Sequence, residues 1–360
     1  MIYVELLDTF SLILTDVLPI GAPWGGSEVL SFLSALTSFI FYEWHKEKRL
    51  SAFPVYCVEG EGICRMEGSM EGCGKCATPP LQRQHQTYYQ HLVVVSGLGA
   101  ATLHNPQMDT HIEPILHSHL SIYSPDILSL LGYSYTRLCP LKADKHLDEG
   151  IPVFLRHKDT CRWYLVTGYD KDGRLCGYDG RECVTCWENW PDFIGEALLL
   201  RKEPHTAYSV SMGMHLFQDA LLRTVTAAEN EKLAVFLEKD ALFADIPPTA
   251  LQRIYDYLVA VISFYAGSRL CSHHVLHNHF WGMYPRPLSF SCLEEAAACF
   301  LEIHRLCFWN IFYIMDYKFL PPSRRTLELF RKKSTRHKLA EYLRAIEESD
   351  RQAYGFLQGI

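Results

Sequence analysis

The sequence predicts an α+β protein in which an antiparallel sheet domain with packed helices is followed by an all-α domain. Three observations predict this. Short β-type apolar runs separated by turn residues fill the chain before residue 205, a stripe with helical spacing follows, and one helix occurs early. We therefore expect an α+β domain at residues 1–205 and a helical domain at residues 206–360, a division that 360 residues can support.

The clearest predicted strands form a hairpin in the first domain. An apolar run from Trp163 to Val166 leads to a DKDG turn at Asp170 to Gly173, and the chain then returns to Tyr178. Six β-type runs in this domain read YVELL, FPVYCV, HLVVVSG, IPVFLRH, WYLVTGY and ALLLRKE. The alternation of these runs with turn residues favours an antiparallel sheet.

One early segment and most of the second domain are predicted to be helical. Residues 27–42 follow a WGG sequence, with Ser27 as the expected N-cap and Glu28 in the first turn. Further on, apolar residues with helical spacing run from Leu251 to Tyr265, and an apolar helix is expected from Ser291 to about Met315. The PPS sequence at 321–323 should end that region and precede a charged amphipathic helix.

Composition and charge exclude several classes of protein. The net charge of −7 and the pI of about 6.2 give no basic surface for nucleic acid or an anionic membrane. Glu5, Asp8 and Asp16 interrupt the N-terminal apolar run, so no signal peptide is predicted. The thirteen cysteines form no compact framework of a small secreted protein, which favours reduced thiols in the cytoplasm. The oligomeric state stays open.

Residues 148–200 contain motifs that resemble a known domain family. A G-x-PV strand at Gly150 to Val153 precedes V-x-G-Y-D at Val166 to Asp170, then Asp179, and a W-x-x-F segment at Trp190 to Phe193. This order resembles the closing section of bacterial papain-like domains. These include the bacteriocin leader-peptidase type and the N-terminal domain of the butirosin-biosynthesis acyltransferase family.

The resemblance implies a papain-like, cysteine-peptidase-like fold with a helical C-terminal extension and a function in bacterial specialised metabolism. That function would be acyl or aminoacyl transfer, or the formation or cleavage of an amide bond, on a substrate linked to a carrier protein or a peptide, as in nonribosomal peptide chemistry. The expected partner is therefore an acyl carrier protein or a peptide substrate. No cofactor is required by this chemistry.

The catalytic positions implied by the resemblance are degenerate. The position of the histidine base holds Arg162, which stays protonated and cannot act as a base. The nucleophile position falls at Ser27, and no cysteine precedes Cys57. The orienting position retains Asp179. These departures support an alternative function, a catalytically inactive papain-like module that binds a peptide, a carrier protein or a partner enzyme.

A second register supplies a complete triad. The run HLVVVSG also has the pattern H-φ-φ-V-x-G, which begins at His91, and Asn105 follows at a distance suited to a neighbouring strand. Ser27, His91 and Asn105 would then act as nucleophile, base and orienting residue in papain order. A serine in this position would depend strongly on His91 for activation.

Two groups of residues are candidate metal ligands. Cys57, Cys64, Cys73 and Cys76 end in a C-x-x-C pair, a spacing that suits a structural zinc ion, whereas the Cys183–Cys186 pair lies in ordinary strand and turn sequence. The SHHVLHNH sequence places His273 and His277 on one face of a predicted helix, with Glu302 or His304 as further ligands. Histidines near the C-terminus of a helix are also stabilised by the helix dipole without a metal. We favour this interpretation, in which these histidines bind no metal.

Overall fold

The computed structural model describes most of the chain. The described residues are 10–13, 28–46, 55–59, 62–66, 80–101, 127–139, 143–158, 163–178, 184–187, 194–203, 210–277, 290–317 and 322–358. The protein is α+β. Its contacts divide the chain into a sheet unit, Met1–Leu92 with Ser124–Tyr208, and a helical unit, Val93–Tyr123 with Ser209–Ile360. The two domains expected at 1–205 and 206–360 stay a prediction.

The sheet unit contains nine described strands in two sheets. The seven-stranded sheet has the order β4-β9-β5-β6-β7-β8, with β1 paired to β6, and β2 and β3 form a separate hairpin. All pairings are antiparallel. The strands are β1 (Phe10–Ile13), β2 (Val55–Glu59), β3 (Gly62–Met66), β4 (Tyr133–Arg137), β5 (Val153–His157), β6 (Trp163–Asp170), β7 (Leu175–Tyr178), β8 (Val184–Trp187) and β9 (Ile194–Lys202).

The predicted hairpin at 163–178 is confirmed as β6 and β7. The Gly173 N–H donates to the carbonyl of Asp170 at 3.1 Å, and Gly173 has a φ of 76°, which favours glycine. The Asp170 carboxylate accepts from the N–H groups of Asp172 and Arg174, so the DKDG turn is held by its own side chain. These local bonds explain why this turn was predictable.

Helices cover both faces of the large sheet. On one face α1 (Glu28–Lys46) packs Phe32 against Phe154 and Trp163, and Phe39 against Phe154. On the other face α3 (Ala143–Asp148) packs Ala143 and Leu147 against an apolar cluster of the sheet. That cluster contains Val153, Leu155, Val166, Leu175, Ala197 and Leu199. Alternation along each strand therefore separates two apolar layers. The predicted helix at 27–42 is confirmed as α1.

The helical unit consists of α-helices with a π-helical segment, and α2 (Pro80–Val95) runs from the sheet unit into it. The predicted stripe from Leu251 to Tyr265 is buried, as expected. The predicted helix to Met315 is interrupted, since residues Leu306–Ile311 form a π-helix. The elements of this unit are α4 (Val210–Ala227), α5 (Glu229–Leu237), α6 (Asp240–Ala244), α7 (Pro248–His277), α8 (Phe290–Arg305), α9 (Phe312–Ile314), α10 (Arg324–Arg331) and α11 (Lys333–Leu357).

The break at the PPS sequence is also confirmed. Helix α10 begins at Arg324, directly after Ser323, and the Ser323 hydroxyl accepts the backbone N–H of Thr326 at 3.1 Å. This bond satisfies one of the amide groups that a helix start leaves without an intrahelical partner. Among the described helices, none combines the length and the apolar character needed to cross a membrane.

A buried ion pair lies in the core of the helical unit. Arg269 of α7 and Asp350 of α11 are both fully buried, and the Arg269 Nε and Nη2 atoms donate to the two Asp350 oxygens at 2.9 Å each. The same guanidinium donates to the carbonyls of Gly99, Ala100 and Ala101. Three of its five hydrogen bonds therefore hold the segment that follows α2 against α7, and the other two join α7 to α11.

Candidate functional site

The end of β5 and the start of β6 lie at the same end of the sheet. Arg156 pairs with Trp163 in an antiparallel register, and Trp163 directly follows the position that the resemblance gives to the histidine base. His157 is the last residue of β5. This end of the sheet is therefore where a papain-like enzyme would hold its base.

The first turn of α1 reaches this end of the sheet. The Ser31 hydroxyl accepts the Trp163 backbone N–H at 3.0 Å, and the Phe32 ring lies 5.2 Å from the Trp163 ring. Ser31 and Trp163 are both buried. The first turn of α1 is therefore held beside the first residue of β6.

Three charged side chains form a row across neighbouring strands at this end. Arg156 of β5 pairs with Glu196 of β9, and Arg137 of β4 lies diagonally beside Glu196. The Glu196 oxygens lie 3.1 Å from Arg137 Nε and 3.7 Å from an Arg156 terminal nitrogen. Because register partners share a face, Arg156 and Trp163 point to the side of the sheet covered by α1. We call Arg137, Glu196 and Arg156 the charged row.

A pocket of about 450 Å³ opens beside the charged row. Its size falls within the range of small-molecule sites, roughly 300–1,000 Å³. The lining residues are Arg137, Leu138, Arg156, His157, Lys158, Gly195, Glu196 and Ala197. Gly195 allows the backbones of β9 and Lys158 to approach, because a Cβ there would lie 3.3 Å from Lys158 Cα. Three cationic side chains and one carboxylate give the lining a formal charge of +2, with the imidazole taken as neutral.

The pocket is suited to an anion. Arg137 is 76% exposed, so solvent and a ligand can reach its guanidinium, while Arg156 is 18% exposed and held by Glu196. Guanidinium groups bind carboxylate and phosphate through paired hydrogen bonds, and Lys158 adds a point charge. Among the described lining residues, His157 supplies an imidazole. The described lining therefore offers cationic groups that suit an anion.

Most of the predicted catalytic residues cannot be placed. Ser27, Asn105, Arg162 and Asp179 all lie outside the described residues. Their roles stay predictions.

His91 is described, and its structural setting differs from the prediction. The run HLVVVSG was expected to form a strand, and this is wrong, because α2 continues through it to Val95. The reason is that a short β-branched run can serve a buried helix as well as a strand, and periodicity does not distinguish them. His91 is 0% exposed, and burial lowers its pKa to about 4. A buried neutral imidazole lacks the access to substrate that a general base needs, although its catalytic role stays a prediction.

The proposed zinc ligands are partly described. Cys57 and Cys64 are direct partners in the β2–β3 hairpin, whereas Cys73 and Cys76 lie outside the described residues. Within the described part of the chain, no group of three histidine, cysteine or acidic residues converges as a metal site. The zinc site stays a prediction.

The histidines of the helical unit pack together at the end of α7. The His273 and His277 rings are stacked with centroids 5.2 Å apart, and His273 Nδ1 bonds the carbonyl of Ala297 at 2.9 Å. His304 Nδ1 bonds the carbonyl of Ala266 at 2.8 Å. Burial lowers the pKa of His273, of His304 and, to about 4, of His274. These histidines therefore contact one another and backbone carbonyls of neighbouring helices.

The sequence analysis missed the pocket residues. Arg156 and His157 end a correctly predicted strand and Lys158 follows it, so a basic cluster at a strand end was a usable signal. Glu196 and Arg137 come from strands whose pairing with β5 depends on the register of the whole sheet. That register is not encoded in any local pattern.

Comparisons with known proteins give no assignment. No protein-family model, no curated protein and no solved structure matches this chain.

Proposed function

We propose that the sheet unit is a papain-like binding module that holds an anionic group of a peptide or of a substrate linked to a carrier protein. The observation behind this proposal is the positively charged pocket at Arg137, Arg156 and Lys158. The chain as a whole has a net charge of −7, so this pocket opposes the overall charge. A local cationic site on an acidic protein attracts an anion to one place.

The same reasoning favours binding over catalysis. The histidine position of the resemblance holds Arg162, and no cysteine precedes Cys57. His91, the alternative base, is fully buried in α2. A serine hydroxyl is a weak nucleophile unless a base activates it. Binding of an anionic group needs only the charge and shape of the pocket, and no nucleophile or base.

The bound group is a carboxylate or a phosphate. Both are planar or tetrahedral anions that a guanidinium binds with two hydrogen bonds. A peptide supplies a carboxylate through its C-terminus or its acidic side chains. An acidic carrier protein supplies a carboxylate or a phosphate. The ion pair with Glu196 of the neighbouring strand β9, with 3.7 Å between the charged atoms, favours one orientation of Arg156. That orientation reduces the conformational entropy that an arginine loses on binding.

Isothermal titration calorimetry with three probes tests the proposal. The probes are a short peptide with a free C-terminal carboxylate, the same peptide as its amide, and inorganic phosphate. We expect binding of an anion that weakens about tenfold or more in Arg156→Gln and Lys158→Gln, since a hydrogen bond to a charged group contributes about 1.5–3 kcal/mol. Binding of the carboxylate but not the amide identifies a peptide terminus, and binding of phosphate identifies a phosphate group.

Lys171→Gln is the matched control for these variants. Lys171 is exposed in the β6–β7 turn, and its replacement by glutamine removes one positive charge from the same unit. An equal loss of affinity in Lys171→Gln would mean that only net charge matters, and the pocket assignment would then fail. No binding by any of the three probes would also reject it.

Acyl or aminoacyl transfer, or amide-bond chemistry, is the second candidate, and one contact favours it. The Ser31–Trp163 bond brings the first turn of α1 to the start of β6, as a nucleophile and base pair would require. Incubation with acyl-thioester donors followed by intact-protein mass spectrometry tests it. An acyl adduct that is lost in Ser27→Ala supports transfer, and no adduct in the wild-type protein leaves the binding module.

A further inference from the structure

Cys176 differs from the other cysteines whose side chains the structure describes. It is disulfide-bonded, whereas Cys139, Cys271, Cys292, Cys299 and Cys307 are free. Cys176 lies in the middle of β7 and is fully buried. The expectation of reduced thiols is therefore wrong at this residue.

The strand register identifies the partner. Cys176 lies directly opposite Cys186 in the β7–β8 pair, and its flanking pairs are Leu175 with Trp187 and Gly177 with Thr185. Directly opposed residues of antiparallel strands have Cα atoms about 4.5–5.5 Å apart. Disulfides span Cα separations of about 4.4–6.8 Å. Cys186 is therefore placed at a distance that a disulfide fits.

We propose that Cys176 and Cys186 form a cross-strand disulfide that acts as a thiol–disulfide switch on the β7–β8 hairpin. The bond closes a covalent ring over residues 177–185, which include Asp179, the orienting position of the resemblance. Closing this ring restricts the chain between the two cysteines. The inference rests on the register and the oxidised state of Cys176, and it does not depend on the proposed function.

The position of β8 at the end of the strand order explains why a Cys176–Cys186 disulfide would reduce local opening of this strand. In the strand order, β8 is the last strand and pairs with β7 alone among the described strands. The β7–β8 register contains four residue pairs. A terminal strand held by a short ladder exchanges its amide hydrogens through local opening. A covalent link to β7 suppresses that opening.

The chemistry is a two-electron exchange with a small disulfide such as oxidised glutathione. The thiolate of one cysteine attacks a sulfur of the donor, which forms a mixed disulfide and releases one glutathione thiolate. The second cysteine thiolate then attacks the protein sulfur of the mixed disulfide and releases the second glutathione. Two protein thiols lose two protons and two electrons, and oxidised glutathione gains them as two reduced molecules.

Differential alkylation of the full chain tests the connectivity. The protein is equilibrated in buffers with graded ratios of reduced to oxidised glutathione, quenched with acid, alkylated and digested. We expect a peptide pair linked through Cys176 and Cys186 in the oxidised buffers and alkylation of both cysteines in the reduced ones. Linkage of Cys176 to another cysteine, or its alkylation under fully oxidising conditions, would overturn the assignment.

Two variants and a second readout test the switch. Cys186→Ser should leave Cys176 open to alkylation, while Cys139→Ser, which removes an exposed free thiol, should leave the linked peptide unchanged. Hydrogen exchange of residues 184–187 in the wild-type protein should be about tenfold faster or more after reduction, because local opening is then released. Equal exchange in the two states would reject a switch even if the disulfide exists.

Discussion

Two arginine–carboxylate clusters of this protein contain the same chemical groups but differ in burial. In the helical unit, Arg269 and Asp350 are fully buried, and five hydrogen bonds occupy the guanidinium. In the sheet unit, Arg137 is 76% exposed, and Glu196 shares its two oxygens between Arg137 and Arg156. The first cluster is complete within the protein, and the second faces a pocket.

The difference shows what burial does to an ion pair. A buried pair is stable only if both charges are fully compensated, because each has lost its hydration. Burial raises the pKa of Asp350 against the opposing effect of Arg269. An exposed pair keeps its hydration, contributes little to stability, and remains available to a ligand. We therefore assign the buried cluster to folding and the charged row to binding.

The largest expected effect comes from breaking the buried pair. Asp350→Ala leaves the Arg269 charge uncompensated in the core, so the free energy of unfolding should fall by about 3–5 kcal/mol. Chemical denaturation measures the change. Glu348→Ala on the same helix is the control, because Glu348 pairs with Arg351 at the surface and should cost less than about 1 kcal/mol. Equal losses in the two variants would remove the distinction between the clusters.

The second effect concerns His91, a buried polar residue of the sheet unit. The folded-state pKa of His91 is about 4, below its usual 6.5, so the unfolded chain binds a proton that the folded chain does not. The resulting stability is complete above pH 6.5 and decreases as the pH falls towards 4, by about 3 kcal/mol in total. Chemical denaturation at pH 7 and pH 5 should reveal the loss as a lower free energy of unfolding at pH 5.

His91→Leu should reduce this pH dependence between pH 4 and 6.5. His215→Leu serves as the control, because His215 is exposed, and its removal should leave the slope unchanged. An unaltered slope in His91→Leu would show that His91 is not protonated on unfolding in this range.

A smaller effect tests whether Arg269 alone holds the segment after α2. The Thr224 hydroxyl donates to the Ala100 carbonyl at 2.7 Å, and an Arg269 terminal nitrogen donates to the same oxygen at 3.0 Å. Thr224→Val keeps the shape and removes one of two donors, so we expect a loss of about 1 kcal/mol in unfolding free energy. Thermal denaturation measures it. A loss near that of Asp350→Ala would mean that the hydroxyl is as important as the buried pair.

The smallest effect is expected at the exposed end of the charged row. Arg137→Gln should change the free energy of unfolding by less than about 1 kcal/mol, because Arg137 is largely solvated. Anion affinity in the calorimetric assay should decrease in the same variant. A large loss of stability with unchanged affinity would reverse our assignment of the two clusters.

The elements predicted correctly are those that depend on interactions between residues close together in the sequence. The DKDG turn carries its own bonds through Asp170, and Ser323 caps α10 through a residue three positions away. The run at 91–97 failed because its apolar residues fit either a buried strand or a buried helix. The candidate site was not predicted from the sequence, because Glu196 meets Arg156 only through the pairing of β9 with β5.

The sequence by itself determined the α+β class, the hairpin at 163–178, helix α1 and the break before α10. These follow from periodicity, turn chemistry and capping, which act over a few residues. The tertiary structure decided that His91 is buried in a helix, that Arg269 finds Asp350, that Cys176 faces Cys186, and that a cationic pocket forms at the end of β5. The physical reason is that strand register and helix packing join residues that are distant in sequence, and no local pattern encodes which of them will meet.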